Sequence, residues 1–238
     1  MIFGAILAGG VGSRMHMADM PKQFLPLGDK PIIIHTLEKF LTCSKFEKVY
    51  VGVHPDWVNY MNDLCDKYLS AVKSKVVAVA GGEDRNGTII NIVEALEADF
   101  GESDENIIVT HDSVRPFVTL RMIEENIEAA KKYGAVDTVA AAVDTIVLSE
   151  DGEFVSDIPE RRKMYQGQTP QSFNVNLLKK LYNSLSEEEK NVLTDACKIC
   201  VVRNHPVYLV EGSYTNIKVT TPGDYKIAQA MVGGKIID

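Results

Sequence analysis

The sequence predicts an α/β fold, a mostly parallel twisted sheet with helices on both faces. Three observations carry this. Apolar runs of strand length alternate with segments of helical spacing from the first residue onward. The first apolar run ends in a glycine cluster, Gly9-Gly10-Val11-Gly12. Polar and charged residues gather where later apolar runs stop, and open parallel sheets carry their ligands at such strand ends.

The strand candidates are residues 2–8, 48–54, 75–80, 107–111 and 136–143. Between them, helical spacing covers 33–41, 57–69, 88–98 and 121–133; in the third of these Ile89, Ile92, Val93 and Leu96 form one stripe. The alternation breaks after Val143. Residues 145–149 are rich in β-branched side chains, Glu150-Asp151-Gly152 is a turn, and 154–158 is extended again, which is a hairpin pattern. A lone two-stranded ribbon is barely stable in water. The expectation is therefore a protruding arm at about 143–165 that packs on a second subunit, the alternative being a ribbon folded back on its own sheet. Helical spacing returns at 175–185 and 187–193, a short strand follows at 207–211, and Thr221-Pro222-Gly223-Asp224 opens a last helix at 225–232. No repeat, low-complexity tract or linker interrupts the chain, so residues 1–238 read as one domain with an arm.

Composition narrows the class. With 45% hydrophobic and 24% charged residues, the 238-residue chain has enough apolar material for a core. A net charge of −8 argues against general nucleic-acid affinity, although it leaves room for a local basic pocket. No run approaches the roughly 18 apolar residues of a membrane span. The start runs straight into a strand, without a signal-peptide pattern, so the expected location is cytoplasmic. Cys197 and Cys200 have C-x-x-C spacing, but Cys43 and Cys65 stand alone and supply no second ligand pair. All four read as buried thiols.

The glycine cluster is the strongest local signal. Small residues allow a backbone to approach a polyphosphate and permit positive φ. Arg14 and Lys22 would add fixed positive charge, which makes Leu7, Ala8, Gly9 and Gly10 candidates for a nucleotide site. The run is not a Walker A loop, since no G-x-x-x-x-G-K-[ST] exists. A dinucleotide fingerprint fails at Met15, and the strand at 48–54 ends without the acidic residue that would hold a ribose. Those two absences oppose an NAD-dependent oxidoreductase. The remaining alternative is a tight turn without a ligand.

Other strand ends point the same way. Residues 107–110 run into His111-Asp112-Ser113-Val114-Arg115-Pro116. An unpaired carboxylate there would be costly, so Asp112 is a candidate for a divalent metal or a sugar hydroxyl. Arg115 can meet a phosphate, and the plain alternative is an Asp112–Arg115 ion pair that fixes the turn. His111 could act as a base, or simply hydrogen-bond locally. Gly81-Gly82-Glu83-Asp84-Arg85-Asn86-Gly87-Thr88 ends the third strand and opens a helix, with donors for a base or phosphate and with Asp84 or Asn86 as the cap. Asn216-Ile217-Lys218-Val219-Thr220-Thr221 places a cation on an extended segment. Arg161, Arg162 and Lys163 read as a solvated face, or as one cation reaching a neighbour's substrate.

Taken together, these segments resemble the cytidylyltransferases of polyol phosphates. The resemblance rests on Leu7-Ala8-Gly9-Gly10-x-Gly-x-Arg14-Met15, Pro21-Lys22-Gln23, Gly81-Gly82…Arg85…Thr88 and His111-Asp112…Arg115-Pro116. It continues in Gln168-Thr169-Pro170-Gln171, Thr194-Asp195-Ala196 and Asn216-Ile217-Lys218-Val219-Thr220, so it spans the chain in order. Of the two branches, one acting on 2-C-methyl-D-erythritol 4-phosphate and one on D-ribitol 5-phosphate, the stretches His-Asp-Ser-Val-Arg-Pro-Phe and Tyr-Gln-Gly-Gln-Thr-Pro-Gln-Ser-Phe look like the second.

The resemblance implies a Rossmann-like fold and transfer of CMP from CTP to a polyol phosphate, with pyrophosphate released. It implies catalytic roles for Arg14, Lys22 and Lys218. It assigns nucleotide binding to Leu7, Ala8, Gly9, Gly10, Gly82, Arg85, Thr88 and Asp112, with Asp112 also a candidate metal ligand. It assigns acceptor binding to Ser113, Arg115, Thr145, Arg161 and Thr194, with Arg161 reaching across a homodimer. Mg²⁺ held largely through the CTP phosphates, and a functional partner reductase supplying ribitol 5-phosphate, are further implications. Glu83 stands where the methylerythritol branch usually has aspartate, and Arg162 and Lys163 match no position of the family.

Overall fold

A computed structural model describes residues 1–10 and 20–234. The strands are β1 (Ile2–Ala8), β2 (Pro26–Leu27), β3 (Lys30–Pro31), β4 (Lys48–Val53), β5 (Val76–Ala80), β6 (Ile107–Asp112), β7 (Ala135–Ala141), β8 (Tyr165–Asn174) and β9 (Tyr208–Glu211). The helices are α1 (Ile32–Leu41), α2 (Val58–Tyr68), α3 (Arg85–Phe100), α4 (Leu120–Tyr133), α5 (Val175–Asn183), α6 (Glu187–Asn191), α7 (Cys197–Val202) and α8 (Pro222–Val232). Among the described residues, seven strands form one sheet in the order β5-β4-β1-β6-β8-β7-β9, and β2 and β3 make a small separate pair. The β5–β4, β4–β1, β1–β6 and β7–β9 pairs are parallel, while β8 runs antiparallel to both β6 and β7.

Strand periodicity explains the layering. Along β1, Phe3, Ala5 and Leu7 face one core, and Ile6 and Ala8 face the other. The first core packs α3, α5 and α7 through Ile89, Ile92, Leu96, Leu178 and Ile199. The second packs α1, α2 and α4 through Ile33, Leu37, Phe40, Met61 and Ile123. Phe3, Phe40, Ile6 and Leu37 are fully buried, each worth roughly 1.5–3 kcal/mol against exposure. The helices start where their sequences allow. Asp84 caps α3 by accepting from the Gly87 N–H at 2.6 Å, and Thr221 and Asp224 form a capping box at α8.

The structure departs from the sequence expectation at three places. Residues 165–174 are a ten-residue strand inserted between β6 and β7. Its polar composition and Pro170 argue against a central strand. The ladder adjusts instead: the β7–β8 register shifts between Asp137 and Val139, and the Thr138 hydroxyl donates to the Pro170 carbonyl at 2.6 Å. Residues 197–202, which the sequence patterning assigns to no element, form α7, with Cys197 and Cys200 buried as expected. The arm follows a hairpin path, but a single antiparallel bridge, Leu148 to Asp157, joins its limbs instead of two regular strands. Its bend is set by Gly152 at φ 78° and by Asp151, whose carboxylate accepts the Glu153 and Phe154 N–H groups at 2.9 Å. Val147, Phe154, Val155 and Ile158 on this arm are exposed.

From β1 the chain moves outward to β4 and β5, then returns to β6 on the other side of β1. Their carboxyl ends, at Ala8 and Asp112, therefore flank a topological switch point.

Candidate active site at the ends of β1 and β6

A cavity of about 440 Å³ lies at this switch point. It is lined by Leu7, Ala8, Gly9, Gly10, Lys22, Gly82, Arg85, Thr88, Asp112, Ser113 and Lys218, all of them sequence candidates. Gln23, Glu83, Asp84 and Val114 complete the wall. Arg14 lies outside the described residues. Thr145, Arg161 and Thr194 are exposed and do not line the cavity in this single chain. The Arg161 guanidinium donates to the Val143 carbonyl at the base of the arm, at 3.1 Å. Arg162 and Lys163 pair with Glu160.

The loop after β1 is held from outside. The Gln23 side-chain amide donates to the Ala8 carbonyl at 2.7 Å and to the Gly10 carbonyl at 3.1 Å. Gln23 is buried on the short 3₁₀ turn Lys22–Phe24, so the same turn that presents Lys22 also clamps the glycine loop. In the sequence Gln23 stands only within Pro21-Lys22-Gln23, and nothing there marks the clamp. Among the described glycines with positive φ, neither Gly9 nor Gly10 appears. What Gly10 contributes is room: among the described residues, no atom lies within 4 Å of where a Cβ would stand.

The second wall is the turn into α3. The Gly82 N–H donates to the Thr88 hydroxyl at 3.1 Å, and that hydroxyl donates to the Asp84 carbonyl at 2.8 Å. A Cβ on Gly82 would stand 2.5 Å from the Gly87 carbonyl carbon, so only glycine fits this close crossing. Arg85 and Thr88 place the amino end of a 16-residue helix against the cavity, a setting that favours an anion.

Asp112 sits among three cations. Its Oδ2 is 3.1 Å from Arg115 Nε and 3.0 Å from Lys218 Nζ, and its Oδ1 is 3.7 Å from Arg85 Nε. Burial alone would raise the Asp112 pKa, but Arg85, Lys218 and Arg115 more than reverse that and hold the carboxyl well below the usual range. The Asp112–Arg115 turn pair is thus present, as one edge of a larger cluster. Arg115 also donates to the Asn216 carbonyl at 2.8 Å, and the Val219 N–H donates to the Val114 carbonyl at 2.9 Å. These bonds strap the Lys218 segment to the Asp112 turn.

The Asp112 oxygens face guanidinium and ammonium groups, and the described residues contain no cluster of three His, Cys, Asp or Glu side chains that would hold a metal without the CTP phosphates. His111 does not fit a base. It is fully buried, with Nδ1 2.8 Å from the Thr169 hydroxyl and Nε2 3.1 Å from the Arg115 carbonyl. A carbonyl only accepts, so Nε2 carries the proton and Nδ1 accepts from Thr169. The Thr169 hydroxyl in turn accepts from the Asp112 N–H at 3.1 Å. Burial lowers the His111 pKa to about 4, and the ring serves as a neutral strut under Asp112.

Comparison with known proteins accords with this geometry. Residues 2–234 match the family described as IspD, 2-C-methyl-D-erythritol 4-phosphate cytidylyltransferase. The chain is 55% identical, over 98% of its length and 99% of the relative's, to a ribitol-5-phosphate cytidylyltransferase of Streptococcus pneumoniae serotype 2, strain D39. A protein of the same name from S. pneumoniae serotype 19F, strain G54, is 54% identical over the same shares. Among solved structures, 4-diphosphocytidyl-2C-methyl-D-erythritol synthase from Anaerococcus prevotii superposes with a TM-score of 0.79 at 26% identity, covering 98% of this chain and 96% of that one. The Francisella tularensis 2-C-methyl-D-erythritol 4-phosphate cytidylyltransferase gives 0.78 at 25% identity, covering 95% and 97%. With the family matched from the first strand to the last helix and the cations gathered at the switch point, this chain is a nucleotidyltransferase, a member of the IspD family of cytidylyltransferases.

Proposed function

We propose that the protein transfers CMP from CTP to D-ribitol 5-phosphate, forming CDP-ribitol and releasing pyrophosphate. The observation that carries the choice of acceptor is the 55% identity, over nearly the whole of both chains, with pneumococcal ribitol-5-phosphate cytidylyltransferases. The likeness to the methylerythritol structure is 26%.

In this reading an oxygen of the acceptor phosphate attacks the α-phosphorus of CTP in line. The bond from that phosphorus to the bridging oxygen breaks, and pyrophosphate leaves with the electron pair. A phosphate monoester has its second pKa near ~6 and is largely dianionic at neutral pH, so no general base is required. The site's task is alignment and neutralisation of charge. Ala8, Gly9, Gly10, Gly82 and Thr88 would seat the nucleotide, where backbone donors and small residues line the cavity. Lys22, together with Arg14, would stabilise the α-phosphate and the departing pyrophosphate. Lys218 would leave Asp112 in part to serve the two reacting phosphates, since Arg85 and Arg115 remain to hold that carboxylate. The divalent cation, Mg²⁺, would arrive with the substrate as Mg·CTP, held largely through its phosphates, with Asp112 the carboxylate nearest to it in this site.

Ser113 and Arg115 would meet the acceptor from within this chain. Thr145 and Arg161 would meet it from the arm of a second copy, which gives the exposed apolar arm a partner and completes the site. Thr194 would be a further acceptor contact. We place the reaction in the cytoplasm, beside a reductase that supplies ribitol 5-phosphate, with the product used for teichoic acid or capsule. No helix among the described residues is long and apolar enough to cross a membrane.

Pyrophosphate release tests the reading. With CTP and Mg²⁺, ribitol 5-phosphate is expected to support turnover and 2-C-methyl-D-erythritol 4-phosphate to support little. The reverse preference would overturn the choice of acceptor.

A further inference from the structure

Arg85 joins the cavity wall to a second polar cluster, built on β7, β8 and the turn before α7. Its centre is Gln171, fully buried in β8. The Gln171 amide is oriented by its partners. Its Oε1 accepts from Arg85 Nη2 at 3.2 Å, while its Nε2 donates to Asp137 Oδ1 at 2.9 Å and to the two Asp195 oxygens at 3.0 and 2.8 Å. Asp195 also accepts from the Cys197 N–H at 2.8 Å, which ties the carboxylate to the start of α7.

Two carboxylates drawing on the N–H bonds of one amide polarise it and make its oxygen a better acceptor for a charged donor. Arg85 depends on that acceptor. Its Nε faces Asp112 at 3.7 Å, and its Nη1 is buried without a hydrogen-bond partner. Gln171 is therefore the neutral anchor that sets the plane of the guanidinium. Were packing the only requirement here, apolar side chains would meet it without desolvating Asp137, Asp195 and Arg85.

The geometry points to Gln171, braced by Asp137 and Asp195, as a positioning residue that fixes Arg85 beside Asp112. This rests on the nucleotide reading of the cavity and adds a line of support running from the α7 turn to Asp112.

A double-mutant cycle tests it, read as CTP affinity by calorimetry and as kcat/KM for ribitol 5-phosphate. Gln171→Met and Arg85→Lys are each expected to weaken CTP binding roughly 10- to 100-fold, the scale of loss when a binding group shifts by about 1 Å. The double variant is expected within about threefold of the weaker single variant, because Gln171 acts only through Arg85. Losses that multiply, or a Gln171→Met protein within about twofold of the parent, would overturn the inference. Should Gln171→Met fail to fold, Asp195→Asn keeps the shape and the acceptor for Cys197 while removing the charge. It is expected to lose about threefold or more in CTP affinity, and to lose nothing further in the Arg85→Lys background; an unchanged affinity would overturn the inference. A parent protein that binds CTP but does not turn over ribitol 5-phosphate would sink the acceptor reading and leave the cycle readable in affinity alone.

Discussion

Lys22 and Lys218 reach the cavity from opposite sides of the chain, one on the turn that clamps the glycine loop and one strapped to the Asp112 turn. Because the proposed reaction needs charge neutralisation more than proton transfer, alanine at either position should lower kcat on the order of 100-fold or more. Melting temperatures should move little, and steady-state kinetics beside thermal melts would check both; near-parental turnover of either variant would sink the electrostatic mechanism. His111 and Asp137 make a second, opposed pair of predictions. The buried His111 has its pKa lowered to about 4, so between about 6.5 and 4 the unfolded chain takes up the proton first and stability falls with falling pH, by up to about 3 kcal/mol. Asp137 is raised to about 6, chiefly by burial, so here the folded state takes the proton first and stability is gained as pH falls from about 6 to 4. Urea unfolding at several pH values should therefore show a shallower acid loss for His111→Gln and a steeper one for Asp137→Asn. Slopes parallel to the parent in both variants would contradict the assignment.

At the level of elements, the arm carries the exposed apolar side chains on which the proposed dimer rests. Phe154, 73% exposed, and Ile158, 59% exposed, sit on limbs joined by one bridge, too little to hold an isolated ribbon. If the proposed dimer forms through the arm, Asp substitutions at Phe154 and Ile158 together should convert it to a monomer in sedimentation, and should lower activity through loss of the acceptor contacts proposed for Thr145 and Arg161. A dimer that persists would place its interface elsewhere. The elements legible in the sequence were those whose apolar spacing is dictated by a core on one or both faces. The strand from Ile2 to Ala8 is one case, and the helices carrying Ile89 and Ile123 are others. The strand from Tyr165 to Asn174 was not legible, because Gln168, Thr169, Gln171 and Ser172 are buried by hydrogen bonding to Ser213, His111, Asp137, Asp195 and Asn126. Buried polar residues of this kind carry no hydrophobic period. Residue patterning left the cations around Asp112 as separate strand-end features, and it was the family resemblance that assigned Arg85, Arg115 and Lys218 to one site. Their convergence on Asp112 comes from the strand order and from the Val219–Val114 bond that straps the Lys218 segment to the turn after β6.

For the whole molecule, a net charge of −8 should repel a nucleotide triphosphate at long range, yet exposed charges more than about 10 Å apart are largely screened at ordinary salt. What the ligand meets on arrival is the local set, with Lys22, Arg85 and Lys218 on the wall and Arg115 behind Asp112. These groups come from the 3₁₀ turn after the glycine loop, the α3 start, the turn after β6 and the segment before α8, so binding should brace the frame as a whole. A ligand that binds only the folded state at a hundred times its Kd stabilises by about 2.7 kcal/mol, and for a chain of this size each kcal/mol moves Tm by about 2–4 °C. Saturating Mg·CTP should therefore raise the melting temperature by about 5–10 °C. NAD should leave it unchanged, since position 15 is Met and the strand from Lys48 to Val53 ends without an acidic residue for the ribose. Scanning calorimetry with each ligand alone decides between them: a shift with NAD and none with CTP would overturn the assignment of this cavity to a cytidine nucleotide.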